Sequence, residues 1–554
     1  MQVSEAIVKI LEKEGIEVAF GIPGAGINPV YKYLGTSNIK HYIARHEAAA
    51  VHAADAHFRA GKKMALAICT SGPGATNFVT GLYTAQIDSI PLIAITGQAT
   101  SNQLGKEAFQ CVDIVDIAKP ITKGAWCVTK AEEIPEVLKE AFHTARSGRP
   151  GPVLIDLPLD IQMADIDFDI DAYEPLPVER KVPEADQISK ALELLAQAEK
   201  PVFLVGGGVI LAEAEEQARE LAELLSLPVI NTYMAKGVIP ADHPLYVGQV
   251  GTQCCTPFGN KFFLDSDLVL AIGCRFNDRH TGNLDVYRGN RKFIHIDVEE
   301  KQIGKIFNPD LGIVADARLA IEALISQAKE KGISLKPHPR VADIPQGRAA
   351  MARKTDFDSF PIKPQRVYKE LNDFFDDDTI FTTGCGLNQI WSGQLQSVNR
   401  PRHYLPSGGA GTLGFDIPAA VGAKVACPDK KAVAVMGDGG FLFMVEELAM
   451  AAYHELPIIV VILNNGFYSL IRQNQKYAYG FEHAVDIWYQ GTLIDPVTIA
   501  KGFGCLGERV EKAEDIRPAL QRAVESGRPY VIDILVERET DCSMGGSIDA
   551  VKEF

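Results

Sequence analysis

Short apolar runs alternate with amphipathic helical stretches along almost the whole chain. That texture predicts parallel sheets with helices on both faces. In the opening stretch MQVSEAIVKILEKEGI, residues Val3, Ala6, Ile7, Ile10 and Leu11 fall on one helical face with Lys and Glu between them. This is the pattern of a core-facing helix rather than a secretory signal. Strands are expected at His41–Ile43, Met64–Cys69, Pro91–Thr96, Val153–Asp156, Pro201–Val205, Phe293–Asp297, Ala432–Met436 and Pro457–Leu463. The apolar run Leu456–Leu463 reads as a buried strand by its length and β-branched content, and no run approaches the roughly 20 residues needed to cross a bilayer.

The texture breaks twice. Residues 164–186 are acidic, contain proline and lack helical periodicity, and residues 332–364 carry five prolines. Both read as linkers. The expected fold is therefore α/β, with three doubly wound parallel-sheet domains over residues 1–163, 187–331 and 365–554. The first and third resemble each other in size and texture. A chain of 554 residues exceeds the roughly 250–300 that one core supports.

Charge and cysteine narrow the function classes. The formal net charge of −16, with no long Lys/Arg run, argues against nucleic acid and anionic membrane as partners. Ten scattered cysteines show no CxxC and no zinc spacing, and read as reduced thiols of a cytoplasmic protein.

The strongest chemical signal lies in the third unit. The strand Ala432–Met436 runs into Gly437-Asp438-Gly439-Gly440, and the strand Pro457–Leu463 runs into Asn464-Asn465. A Gly-rich turn at the carboxyl end of a parallel strand lets backbone N–H groups approach phosphate oxygens. A carboxylate in that turn would repel phosphate unless a cation lies between. Asp438 and the Asn465 amide are hard oxygen ligands suited to Mg²⁺ shared with phosphates. A helix at Phe441–Tyr453 is expected to return the chain between the two strands.

With 24 residues between Gly439 and Asn464, this segment resembles the GDG…NN motif of thiamine-diphosphate-dependent enzymes. The resemblance extends over essentially the whole chain, to the acetohydroxyacid synthase and glyoxylate carboligase family. It implies thiamine diphosphate held through Mg²⁺ by Asp438, Asn465 and the Phe467 carbonyl. It implies that Glu47, which opens a helix in ARHEAAA, is the glutamate that activates the cofactor's aminopyrimidine. Leu413, following Gly411 in GGAGTLGFDIP, stands where the family wedges the cofactor into a bent form. Phe109 and Gln110 stand where first-domain residues enter the active site. The turn Ser71–Asn77 matches the family's first-domain turn.

In the middle unit, Gly206-Gly207-Gly208 follows a strand. The run Gly273–Gly282, with Arg275, and the strand ending at Asp297 resemble the FAD-contacting segments of the family. The resemblance implies a structural FAD, with Arg275 near both flavin and an incoming 2-oxo acid. Small-molecule 2-oxo acids are the implied substrates, and a homodimer or homotetramer with an active site shared between chains is the implied assembly. Stretches such as Ser147–Pro158, Leu470–Gln475 and Ser543-Met544-Gly545 look nearest the glyoxylate carboligase branch. Asn474 replaces the large aromatic of acetohydroxyacid synthases. Glu47 and Gly437–Gly440 instead look nearer the acetolactate enzymes, because the glyoxylate branch characteristically carries an apolar residue at the glutamate position. The expected reaction is the joining of two glyoxylates to tartronate semialdehyde with loss of CO₂, the alternative being acetolactate formation from pyruvate.

Overall fold

The computed structural model describes residues 1–488 and 491–554. Its strands form three six-stranded sheets, parallel throughout. The first holds β1 (Val18–Gly21), β2 (Lys40–Ile43), β3 (Leu66–Cys69), β4 (Ile93–Gln98), β5 (Gly124–Cys127) and β6 (Val153–Pro158) in the order β2-β1-β3-β4-β6-β5. The second holds β7 (Pro201–Val205), β8 (Val229–Asn231), β9 (Tyr246–Gln249), β10 (Leu268–Ile272), β11 (Lys292–Asp297) and β12 (Leu311–Val314) in the order β12-β11-β10-β7-β8-β9. The third holds β13 (Ile380–Thr383), β14 (Tyr404–Pro406), β15 (Ala432–Gly437), β16 (Ile458–Asn464), β17 (Leu506–Val510) and β18 (Tyr530–Leu535) in the order β14-β13-β15-β16-β18-β17. The first and third sheets thus share one topology, and the middle one differs.

Central strands such as β15 and β16 are buried almost end to end. Sheets covered on both faces need such continuous apolar runs, and this is why they stand out in the sequence. Strand order reverses between β1 and β3, between β7 and β10, and between β13 and β15. Ligands of open α/β sheets bind outside the carboxyl ends of strands at such points.

The first and third units pack directly on each other. Helix Glu47–Gly61 lies against helix Asp416–Ala426, and any side chain at Gly422 would strike the Ala53 carbonyl oxygen. His52, fully buried with both ring nitrogens unpartnered, packs edge-on against Phe415 in this interface. Burial pushes its pKa down to about 3, so it is a neutral core residue.

Two expectations need correction. Phe441–Tyr453 is not one helix: short helical turns at Asp438–Phe441 and Glu447–Tyr453 flank a break where Met444 takes φ +59°. A left-handed residue cannot continue an α-helix. The segment 332–364 is also more than a linker, since it contains helix Ile344–Ala350, whose Ile344 is fully buried. No described helix is long and apolar enough to cross a membrane, and all ten cysteines are free.

Candidate active site

In the third unit, β13, β15 and β16 are neighbours, so three carboxyl-end turns converge. β15 delivers Asp438 and β16 delivers Asn465, with Gly437 paired to Leu463 in register. Asp438 and Asn465 are each 3% exposed. Asp438 Oδ2 accepts the Gly466 N–H at 2.9 Å. The Ser469 hydroxyl lies 2.9 Å from Asn465 Oδ1 and 3.2 Å from the Phe467 carbonyl oxygen, tying those two oxygens together. Arg538 donates to the Asn465 carbonyl at 3.1 Å and stacks over Phe467 and Trp488, each 4.1 Å from the ring centroid.

Asp438 forms no ion pair among the described residues, and burial pushes its carboxyl up to about 7. A buried carboxylate without a cationic partner is costly, and a divalent cation would remove that cost. The donor set fits Mg²⁺: one carboxylate and two amide-type oxygens, with coordination left for phosphate oxygens and water. No group of three His, Cys, Asp or Glu placed to hold a metal ion exists among the described residues.

Around this set lie groups suited to a diphosphate. Gly439 and Gly440 follow Asp438, and Leu413 Cδ2 lies 3.8 Å from where a Cβ on Gly440 would sit. The turn Gly384-Cys385-Gly386 after β13 opens helix Leu387–Leu395, and Gly384 N–H donates to the buried Asp416. Sequence reasoning missed this turn, although its Gly-x-Gly after an apolar strand carried the signal.

A second cluster forms at the carboxyl edge of the first sheet. Glu47 begins its helix, and its Oε2 accepts from Asn77 Nδ2 at 2.8 Å. Its Oε1 is 3.3 Å from where a Cβ on Gly74 would lie. Gln110, at φ +55°, packs on Gly72 of the same turn. Glu47, Ser71–Asn77 and Gln110 are therefore one cluster. Phe109 beside them is 88% exposed. The hydrogen bonds of Glu47 join it to this cluster and not to Asp438 or Asn465. The turn leading into the Glu47 helix is nonetheless tied to the third unit: Glu447 Oε1 accepts the N–H groups of Arg45 and His46 at 2.9 and 2.8 Å.

The third feature is a cleft among all three units, enclosing about 1630 Å³ of space partly continuous with solvent. Gly207 and Gly208 line it, whereas Gly206 is pressed against the Gly273 backbone, which would clash with any side chain there. Arg59, Arg149, Arg275, Arg279 and Arg402 all face the cleft, against Asp88 and Asp297. Burial raises Asp297 to about 6. Arg275 donates to the Ile87 carbonyl and lies 3.7 Å from Asp88. Asp88 also accepts from Arg59 at 3.1 Å and from the N–H groups of Gly408 and Gly409 at 3.2 and 2.9 Å. One buried carboxylate thus joins the three units. A lone Asp at a helix end gave no sequence signal for this.

Residues 1–117 match the thiamine pyrophosphate enzyme N-terminal TPP binding domain, 188–324 its central domain and 384–534 its C-terminal TPP binding domain. The chain is 45% identical to glyoxylate carboligase of Escherichia coli O157:H7 over 571 aligned positions, covering 100% of this chain and 96% of that protein. The chain is a thiamine-diphosphate enzyme. This thiamine-diphosphate enzyme is also 39% identical to a probable acetolactate synthase large subunit of Methanococcus aeolicus, over 100% of this chain and 96% of that one. It is 40% identical to the acetolactate synthase large subunit of Corynebacterium glutamicum, over 96% and 86%. Thiamine-diphosphate enzymes of this carboligase group are thus its relatives along the full length. Asn474 is exposed in the single chain, while its neighbour Gln473 is buried and bonded both ways to the Cys542 backbone.

Proposed function

We propose that this enzyme joins two 2-oxo acids with loss of one CO₂, and that its substrate is glyoxylate, giving tartronate semialdehyde. The observation that carries the reading is full-length similarity at 45% identity to a glyoxylate carboligase, in a chain that keeps Asp438, Asn465 and Glu47 in clusters suited to the cofactor. When bound, thiamine diphosphate supplies a stabilised carbanion that adds to a carbonyl and accepts the electrons left by departing CO₂.

This chain's residues do the rest. Asp438, Asn465 and the Phe467 carbonyl would hold Mg²⁺, and Gly437, Gly439 and Gly440 would admit the diphosphate. Leu413 and Gly411 would line the space for the cofactor beside Gly440. Glu47, held by Asn77, would be the carboxylate that gives and takes a proton at the cofactor. Gln110 offers an amide to substrate, and Phe109 excludes water. The 88% exposure of Phe109 supports a second chain covering it, in a homodimer or homotetramer with shared sites. The arginine-rich cleft, with Gly207, Gly208, Arg275 and Asp297, suits a dinucleotide such as FAD in a structural role. Ten free cysteines support a cytoplasmic enzyme, in our reading.

Acetolactate formation from pyruvate is the second reading, favoured by the presence of Glu47 itself. Purified protein with thiamine diphosphate and Mg²⁺ is offered each acid separately and the products weighed by mass spectrometry. Tartronate semialdehyde from glyoxylate supports the first reading, and acetolactate as the main product selects the second.

A further inference from the structure

The segment that carries Phe109 and Gln110 leaves β4 at Ala99 and reaches the helix Ile114–Ala118 only after Asp113. No residue from Ala99 to Asp113 is buried, so apolar packing gives the segment little hold. Hydrogen bonds at its base hold it instead. Gln98, the last residue of β4, is 3% exposed. Its Oε1 accepts the Ala99 N–H at 2.9 Å, and its Nε2 donates to the Val112 carbonyl at 2.7 Å. One side chain therefore grips both ends of the segment. The Val112 carbonyl can only accept, which fixes the end of the Gln98 amide that faces it. The same Nε2 donates to Asp156 Oδ2 at 2.9 Å. Asp156 is buried on β6, and its other oxygen accepts from the Thr96 hydroxyl at 2.7 Å. Asp160 ties the near end a second time, through the N–H and hydroxyl of Ser101 at 2.8 and 2.5 Å.

Resting on the reading of Gln110 as a substrate contact, we propose that Gln98 is a positioning residue for the reaction: clamped by Asp156, it closes the base of the 99–112 segment and so sets where Gln110 stands. Gln110 takes φ +55° and packs on Gly72. A left-handed residue other than glycine persists only where its surroundings hold it. Gly72 belongs to the turn whose Asn77 holds Glu47, so a shift of the segment moves Gln110 relative to Glu47. Displacing a positioning group by about 1 Å can cost on the order of 100-fold in rate. Gln98 touches neither substrate nor cofactor in this arrangement, and its whole effect on turnover passes through the segment it closes.

The test is a double-mutant cycle on the cofactor-loaded protein, combining Gln98→Met, of similar length and without the amide, with Gln110→Ala. Gln98→Met alone should lower kcat/KM for the 2-oxo acid on the order of 10–100-fold. In the Gln110→Ala background the same change should cost less than about 3-fold, because the group it places is already gone. Hydrogen exchange read by mass spectrometry gives a second measure that needs no turnover: amides of residues 100–111 should exchange faster in Gln98→Met, with those of β3 and β4 as in the parent. Asp156→Asn keeps one acceptor oxygen for Thr96 or Gln98 but not both. It should show a smaller loss of the same kind, and it replaces Gln98→Met in the cycle if that variant does not fold. Equal losses with and without the Gln110 side chain overturn the proposal. So does unchanged exchange across 100–111, or a lower melting temperature with the parent's kcat/KM, which would make Gln98 a structural residue only. Parent kcat/KM in Gln110→Ala would refute the reading of Gln110 alone, since exchange reads the closure of the segment independently.

Discussion

Replacing Asp88 with alanine tests whether the three units are joined as described. The Asp88 side chain is fully buried and meets Arg59, Arg275 and the Gly408 and Gly409 N–H groups. After its removal Arg59 keeps Asp55 and the Pro406 carbonyl, and two backbone donors lose their acceptor. Removing one partner of a buried ion pair costs about 3–5 kcal/mol. The orphaned N–H groups would each add about 1–3 kcal/mol in isolation, but they share one carboxylate, so the costs do not sum. A loss of about 4 kcal/mol, at about 2–4 °C per kcal/mol for units of 150–250 residues, lowers the melting temperature by about 8–16 °C. Asp88→Asn keeps an acceptor oxygen and loses only the charge, so it should fall by less than half as much. Differential scanning calorimetry of the cofactor-loaded protein reads both. An Asp88→Ala variant melting within about 2 °C of the parent, against that expected shift, would refute the account of the junction.

Three further expectations follow from the site and its supports. Burial pushes the Glu447 carboxyl up to about 8, against 4.5 for the ordinary side chain. The folded chain therefore binds the extra proton between those values, and this group's stabilisation is lost as pH rises through the window. Glu447→Gln, which keeps the oxygen facing Arg45 and His46, should flatten the fall of Tm between pH 5 and 8, and parallel Tm curves would count against it. Asp438→Asn should weaken Mg²⁺-dependent binding of thiamine diphosphate by on the order of 10–100-fold or more, judged from lesser changes around metal ligands; calorimetric titration giving the parent affinity would contradict the assigned donor set. Gly422→Val should prevent packing of helix Glu47–Gly61 on helix Asp416–Ala426, and a soluble variant with the parent's melting temperature would rule that contact out as a constraint.

Much of this was legible in the sequence because it is local. β15 and β16 announce themselves as apolar runs ending in Asp438 and Asn465, and the buried face of the first helix follows from Val3, Ala6, Ile7, Ile10 and Leu11. The likeness of the first and third units appears as one shared strand order. What escaped was non-local or hung on a single backbone torsion. The helix break depends on Met444, whose type gives no warning of a positive φ. Asp88, Arg279 and Asn77 acquire meaning only from partners distant in the chain, such as Gly409, Gln389 and Glu47. Arg275 and Arg279 sit four residues apart in one motif, and only their partners distinguish an arginine already paired from one left free.

The most direct test of the central claim is the stoichiometry of glyoxylate turnover by the protein loaded with thiamine diphosphate and Mg²⁺. Glyoxylate consumed and CO₂ released are counted in the same vessel. Two glyoxylates consumed per CO₂, with the remaining carbon recovered as a three-carbon product, is the result a decarboxylating carboligase gives. One glyoxylate per CO₂, or no CO₂ at all, would contradict it.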